Sequence, residues 1–138
     1  MNTIPDLAEI SIDVRAGDPA EQRRVDEAMR GLLPALPGAR LDLTGEINRP
    51  PLDGAASAGL FALARSLAEG MGLPPLRDAA VGGASDGNFT AGVGTPTLDG
   101  LGAVGDHAHA EGEWASVAAM ADRAALVAAL VDAVRSPR

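Results

Sequence analysis

The sequence predicts an α/β protein made of two pieces. Two segments near its start alternate apolar and polar residues, as half-buried strands do, and an amphipathic helix lies between them. Two longer helical patterns dominate the remainder, and glycine-rich segments separate them. The 138 residues suit one domain or parts of two. The core must consist of small aliphatic side chains, because only 2 % of the residues are aromatic.

The first piece is predicted to form a strand, a helix and a second strand. Ala8 to Val14 alternates and so predicts a strand, and Arg40 to Thr44 predicts a second one. Between them, Asp18 is placed as an N-cap, with Pro19 at the first helical position and Glu21 in position for a capping box. Parallel strands joined in this way bury little surface. The βαβ unit therefore needs either a second half, in a ferredoxin-like arrangement, or the sheet edge of another chain.

The second piece begins after Asn48 to Pro51, where paired prolines exclude both helix and sheet ladder. Its main predicted elements are two helices, Ser57 to Gly70 and Val117 to Arg135. Ser116 caps the second helix, which is apolar on most of its circumference and so is expected to pack between layers. Shorter predictions are strands at Ala79 to Val81 and Thr95 to Leu98, a helix at Asp86 to Val93, and an edge contact at Ala103 and Val104.

Composition excludes several classes of protein. The chain has no cysteine, which leaves no disulfide and no thiolate metal site, so any metal would be held by histidine and carboxylates. A net charge of −8 argues against binding to nucleic acid, which requires clustered cations. No signal-like start and no run long enough to span a membrane is present. We therefore expect a cytoplasmic protein that binds neither nucleic acid nor membrane.

Both histidines lie in one short segment. If His107 to His109 is extended, both imidazoles point to the same side, a spacing that can hold one zinc ion. The alternative is that both histidines are polar loop residues that bind no metal, which would show the same spacing. Glu111 and Glu113 are open to three interpretations: metal ligands, acceptors for an imidazole N–H group, or a solvated start to the last helix.

A glycine-rich turn, Gly82 to Asn88, follows a predicted strand and opens a short helix. Its backbone N–H groups are placed to receive an anion. The turn has neither the P-loop ending nor the dinucleotide-binding spacing, and a tight turn explains its glycines equally well. Arg49, beside two prolines, is a candidate clamp for a carboxylate.

Together these motifs resemble the C-terminal portion of the M20 metallopeptidases, the relatives of glutamate carboxypeptidase, aminoacylase and succinyl-diaminopimelate desuccinylase. The resemblance rests on GGASDGNF, GTPTLDGLGAVG, AHAEGEW and DRAALVAAL, in that order. The start of the chain is similar to the second half of the family's inserted dimerisation domain, and NRPPL resembles the return to the catalytic domain. The resemblance implies a partial, ferredoxin-like dimerisation (lid) domain at 1–48 and the C-terminal α/β part of a zinc-peptidase catalytic domain at 49–138.

The resemblance also implies roles for individual residues. His109 aligns with the last histidine ligand of a two-zinc site, and Arg49 resembles the arginine that receives the substrate's carboxylate. The family has a turn that lines the substrate pocket, and the residues that resemble it here are Gly83, Ser85, Asp86 and Asn88. His107 has no family role. Glu111 and Glu113 stand where the family keeps acidic residues next to the ligand, so that they orient His109.

The sequence departs from the family pattern in the catalytic machinery. It contains no His-x-Asp ligand pair, no bridging Asp and no Glu-Glu pair with the general base. We therefore expect a C-terminal fragment of an amidohydrolase or carboxypeptidase that is inactive alone, its parent taking an acyl-amino-acid or peptide substrate. The alternative is a non-catalytic dimerisation or binding module. The first βα pair of the lid domain is also missing, which predicts an altered sheet, and a homodimer or a strand-mediated oligomer.

Overall fold

The computed structural model describes residues 5–136, and the chain divides into two compact units, Met1–Ile47 and Asn48–Arg138. Residues 5–47 of the first unit contain one helix, α1, at Pro19–Arg30. The Asp18 carboxylate caps it by accepting hydrogen bonds from the backbone N–H groups of Ala20 at 2.8 Å and Glu21 at 2.9 Å. The cap satisfies two N–H groups that lack an intrahelical partner, which confirms the predicted start of this helix.

The two strands predicted in the first unit are wrong. Neither Ala8 to Val14 nor Arg40 to Thr44 forms a strand in the structure. A strand exists only as part of a hydrogen-bonded ladder, and within residues 5–136 neither segment has a neighbouring strand to pair with. Their apolar side chains stay exposed as a result, from 81 % at Ile10 to 39 % at Leu43.

The second unit contains three helices and a hairpin. The helices are α2 at Gly54–Gly70, α3 at Gly87–Gly92 and α4 at Val117–Arg135. Strand β1, Gly105–Asp106, pairs antiparallel with β2, Trp114–Ala115. Helices α2 and α4 pack together around a small core of Ala64, Ala68, Leu126 and Leu130. The described residues thus form a mixed α/β arrangement.

The three helices of this unit were predicted, and α2 begins three residues earlier than expected. Asp53 is its N-cap, and its carboxylate accepts a hydrogen bond from the Ala55 N–H group at 3.1 Å. Ser116 caps α4 as predicted, by accepting from the N–H group of Ala119 at 3.3 Å. The predicted edge contact at Val104 is confirmed too, since its carbonyl accepts from Ser116 N–H at 2.7 Å.

Two further strand predictions and one packing prediction are wrong. Ala79 to Val81 and Thr95 to Leu98 form no strand, and the N–H group of Thr97 donates instead to the carbonyl of Ala56 in α2, at 3.0 Å. Helix α4 does not lie between layers, because α2 is the helix that packs against it and much of its apolar surface stays exposed. Within residues 5–136, no helix has the length and apolar character needed to cross a membrane.

Candidate functional site

The glycine-rich turn before α3 is held together by the Ser85 hydroxyl. Ser85 Oγ donates to Asp99 Oδ2 at 2.5 Å and accepts from the Gly87 N–H group at 3.0 Å. Asp99 Oδ1 in turn accepts from the Gly100 N–H group at 2.7 Å. The hydroxyl proton of Ser85 is therefore committed to Asp99, and this side chain can offer a ligand only an acceptor lone pair.

These contacts lower the pKa of the Asp99 carboxyl. The hydrogen bond from Ser85 is the larger cause and the one from the Gly100 backbone is the second, while partial burial opposes both. Hydrogen bonds to the ionised form favour that form. Ionised Asp99 therefore stabilises the folded turn.

This lowered pKa predicts an acid-sensitive turn. Stability from a depressed carboxyl pKa is fully present above the unfolded value of about 3.9 and is lost as the pH falls through the folded value. We expect the urea midpoint of unfolding to fall between pH 5 and pH 3, and to fall less in Asp99→Asn. Asp122→Asn, in α4 and outside the turn, is the control. An identical acid response in wild type and Asp99→Asn would contradict the prediction.

Asn88 is the one buried polar residue in the part of the chain that the structure describes, at 8 % exposure. Its Nδ2 group donates to the carbonyl of Pro50 at 2.8 Å, and its Oδ1 atom accepts from the Ser85 N–H group at 3.0 Å. Both ends of the amide are thus used inside the protein. Asn88 joins the turn to a segment 38 positions earlier in the chain.

Arg49 lies beside the next residue of α3. Its guanidinium carbon lies 4.5 Å from the centroid of the Phe89 ring, a cation–π contact. The structure therefore brings Arg49 together with Ser85 and Asn88, three of the residues predicted to bind substrate. Asp86, directly before α3, and Gly83, earlier in the turn, are both exposed.

Sequence reasoning missed Pro50, Phe89 and Asp99 as parts of this cluster. No local signal pointed to Asp99, because 14 positions separate it from Ser85. The pairing of Arg49 with Phe89 had no local signal, since 40 positions separate the two residues. Thr90 and Thr97 were missed as well, although only seven positions separate them, and their hydroxyls lie 2.9 Å apart.

The histidine segment is a turn, so the condition for a shared metal site, an extended segment, is not met, and the alternative of two polar loop residues fits the structure. His107 and His109 have φ values of 58° and 64°, in the left-handed region, and both are exposed. The chain must reverse direction between β1 and β2, and Gly112 with φ 86° completes the reversal. The described backbone therefore does not give the two imidazoles the alignment that a strand would give them.

The described residues do not fit a metal centre of their own. A protein zinc site takes three or four side-chain ligands. Within residues 5–136, no group of three or more histidine, aspartate or glutamate side chains is placed to hold a metal ion, and His109, Glu111 and Glu113 form no such group.

Comparison with known families decides the assignment. The model of peptidase family M20/M25/M40 matches residues 3–133. The chain belongs to this family. No curated protein and no solved structure gives a significant match.

Membership of the M20/M25/M40 family agrees with the resemblance carried by the glycine-rich turn and the AHAEGEW segment. The family is one of peptidases and is generally zinc-dependent. This chain therefore derives from a metallohydrolase, although its described residues supply no complete metal site. What it does supply is the cluster of Arg49, Phe89 and the Ser85–Asn88 turn.

Proposed function

We propose that this chain is the substrate-binding part of a two-zinc M20-type amidohydrolase or carboxypeptidase. It binds an acyl amino acid or a peptide through the free carboxylate next to the scissile amide. Arg49 receives that carboxylate, and the Gly83–Asn88 turn lines the pocket. His109 contributes one imidazole to zinc in a complete enzyme, whereas this chain alone is inactive because it lacks the remaining ligands and the general base.

The observation that carries this proposal is the placement of Arg49 over Phe89, beside the turn. A guanidinium group presents parallel N–H donors that match the two oxygens of a carboxylate. Stacking on a ring holds the guanidinium in one orientation, and Arg49 stacks in this way on Phe89. The N–H groups of Ser85 and Gly87 in the turn are already held by side chains of the turn itself, so the carboxylate is received by Arg49.

Two ligands that differ in one group test the proposal. N-acetylglycine carries a free carboxylate beside an amide, whereas N-acetylglycinamide has the carboxylate capped. We expect the protein to bind N-acetylglycine at least about tenfold more tightly in an NMR titration, since a charge-assisted hydrogen bond contributes about 1.5–3 kcal/mol. Arg49→Ala should abolish this preference, and Arg65→Ala, which removes an arginine lying 5.9 Å from the Phe61 ring, should keep it. Equal affinities for both ligands in wild type would refute carboxylate recognition.

We also propose that the first unit associates with a second copy by strand pairing, which would complete a ferredoxin-like sheet. The supporting observation is the alternating segment Ala8–Val14, whose apolar residues Ile10 and Ile12 are exposed by 81 % and 61 %. An alternating segment without a ladder partner is a template for pairing with another chain.

A charge on each face of this segment tests the association. Ile12→Glu is expected to convert a dimer to monomer, because it places a carboxylate on the apolar face that the second copy would cover. Ser11→Glu adds the same charge on the polar face and should leave the dimer intact. Light scattering coupled to gel filtration gives the mass. A monomeric wild-type protein, or equal effects of the two variants, would contradict the association.

A further inference from the structure

We infer that Asn88 is a positioning residue for Arg49, acting together with the Phe89 ring that lies beneath the guanidinium. This inference rests on the proposed role of Arg49 as the receiver of a substrate carboxylate. It assigns to Asn88 a different role from direct contact with substrate. The side chain acts through its neighbours, and it fixes the distance between Arg49 and the glycine-rich turn.

Both ends of the Asn88 side-chain amide are engaged inside the protein. At 8 % exposure it is buried, its Nδ2 group holds the Pro50 carbonyl and its Oδ1 atom holds the Ser85 N–H group. A buried amide with both ends paired inside the protein is a structural link. Asn88 thus links Pro50, the residue after Arg49, to Ser85 in the glycine-rich turn.

A second contact is the close approach of α3 to the same segment. A Cβ atom added at Gly92 would collide with the ring of Pro50, which is rigid and cannot turn aside. Glycine is therefore required at the end of α3 for Pro50 to lie where Asn88 binds it. Pro50, the residue after Arg49, is thus held at two points of α3. It accepts a hydrogen bond from Asn88 and lies close to Gly92.

A third contact involves the side chain of Arg49. The hydrogen bond at Pro50 positions the backbone next to Arg49. The Phe89 ring, 4.5 Å from the guanidinium carbon, positions the guanidinium group. Asn88 and Phe89 are consecutive in α3, so one turn of this helix positions both the backbone beside Arg49 and its guanidinium group. A preorganised arginine loses less conformational entropy on binding an anion than a freely rotating one.

Four variants test this arrangement with two readouts. Asn88→Ala removes the link, Gly92→Ala displaces Pro50 while keeping Asn88, and Phe89→Leu removes the ring. Phe61→Leu is the matched control, because it removes the ring near Arg65 instead. The first readout is the ring-current shift of the Arg49 side-chain protons, and the second is the dissociation constant for N-acetylglycine. Melting temperatures show whether each variant is folded.

In wild type, the Arg49 protons should be shifted upfield by the Phe89 ring. Asn88→Ala and Gly92→Ala should reduce that shift and weaken binding about tenfold, the equivalent of one well-placed hydrogen bond. Phe89→Leu should abolish the shift and weaken binding about two- to fivefold. Phe61→Leu should change neither readout.

The outcomes separate the positioning role from the proposed function. Arg49-dependent binding that is unaffected by Asn88→Ala and Gly92→Ala overturns the positioning role and leaves carboxylate recognition standing. Loss of the ring-current shift in both variants, in a protein that does not bind N-acetylglycine, supports the positioning of Arg49 and overturns carboxylate recognition. An unchanged shift in both variants overturns the positioning role whatever the affinity.

Discussion

Leu126→Ala is expected to lower the free energy of unfolding of the second unit by about 2–5 kcal/mol. Leu126 is the largest fully buried side chain among the described residues, at 0 % exposure, and the core around it contains only Ala64, Ala68 and Leu130 besides. Truncation removes apolar contacts and leaves a cavity that two short alanines cannot fill. Urea unfolding followed by far-ultraviolet circular dichroism measures the loss.

The next residue along α4 provides the control. Val127 is 38 % exposed, so Val127→Ala removes a smaller side chain from a site already in contact with water. We expect this variant to lose less than about 1 kcal/mol, as for a partly exposed truncation. A loss in Val127→Ala as large as that in Leu126→Ala would mean that α4 packs through a different face.

Gly105→Ala is expected to break the hairpin that carries His109. A Cβ atom at this position would collide with the backbone carbonyl oxygen of Trp114, in the strand paired with it. Backbone in a ladder cannot move aside without losing hydrogen bonds, so the cost is about 1–3 kcal/mol or the loss of the hairpin. Trp114 is the single tryptophan of the chain, and its fluorescence should shift to the red as β2 detaches.

Gly102→Ala is the matched substitution, because a Cβ atom there meets nothing within 4 Å. It should leave the tryptophan emission unchanged. If Gly105→Ala also leaves the emission unchanged, the approach of β1 to Trp114 in the structure is not the one present in solution.

The helices could be predicted from the sequence because their determinants are local. Asp18 and Ser116 each cap a helix through hydrogen bonds that span two or three positions. Strands depend on a partner elsewhere in the chain, and the alternation of Ala8 to Val14 says nothing about whether that partner exists. All four predicted strands were wrong for this reason, while the one observed hairpin is too short to give an alternating pattern.

The candidate site was predicted in part. The sequence singled out Arg49 and the glycine-rich turn, and the structure brings Arg49, Ser85 and Asn88 into one cluster. The sequence could not reveal that the side chains of Ser85 and Asn88 are used inside the protein. Their partners, Asp99 and Pro50, lie 14 and 38 positions away. For the histidine pair the sequence left a strand and a loop open, since a two-residue spacing does not distinguish between them.

Hydrolysis of N-acetylated amino acids by the purified chain at saturating zinc tests the central claim most directly. We expect no release of free amino acid above that of zinc in buffer, because the described residues hold no complete metal site and the proposed role of the chain is to bind substrate. Turnover that requires zinc, stops with a chelator and disappears in His109→Ala would contradict it. Such a result would mean that this chain assembles a working metal centre.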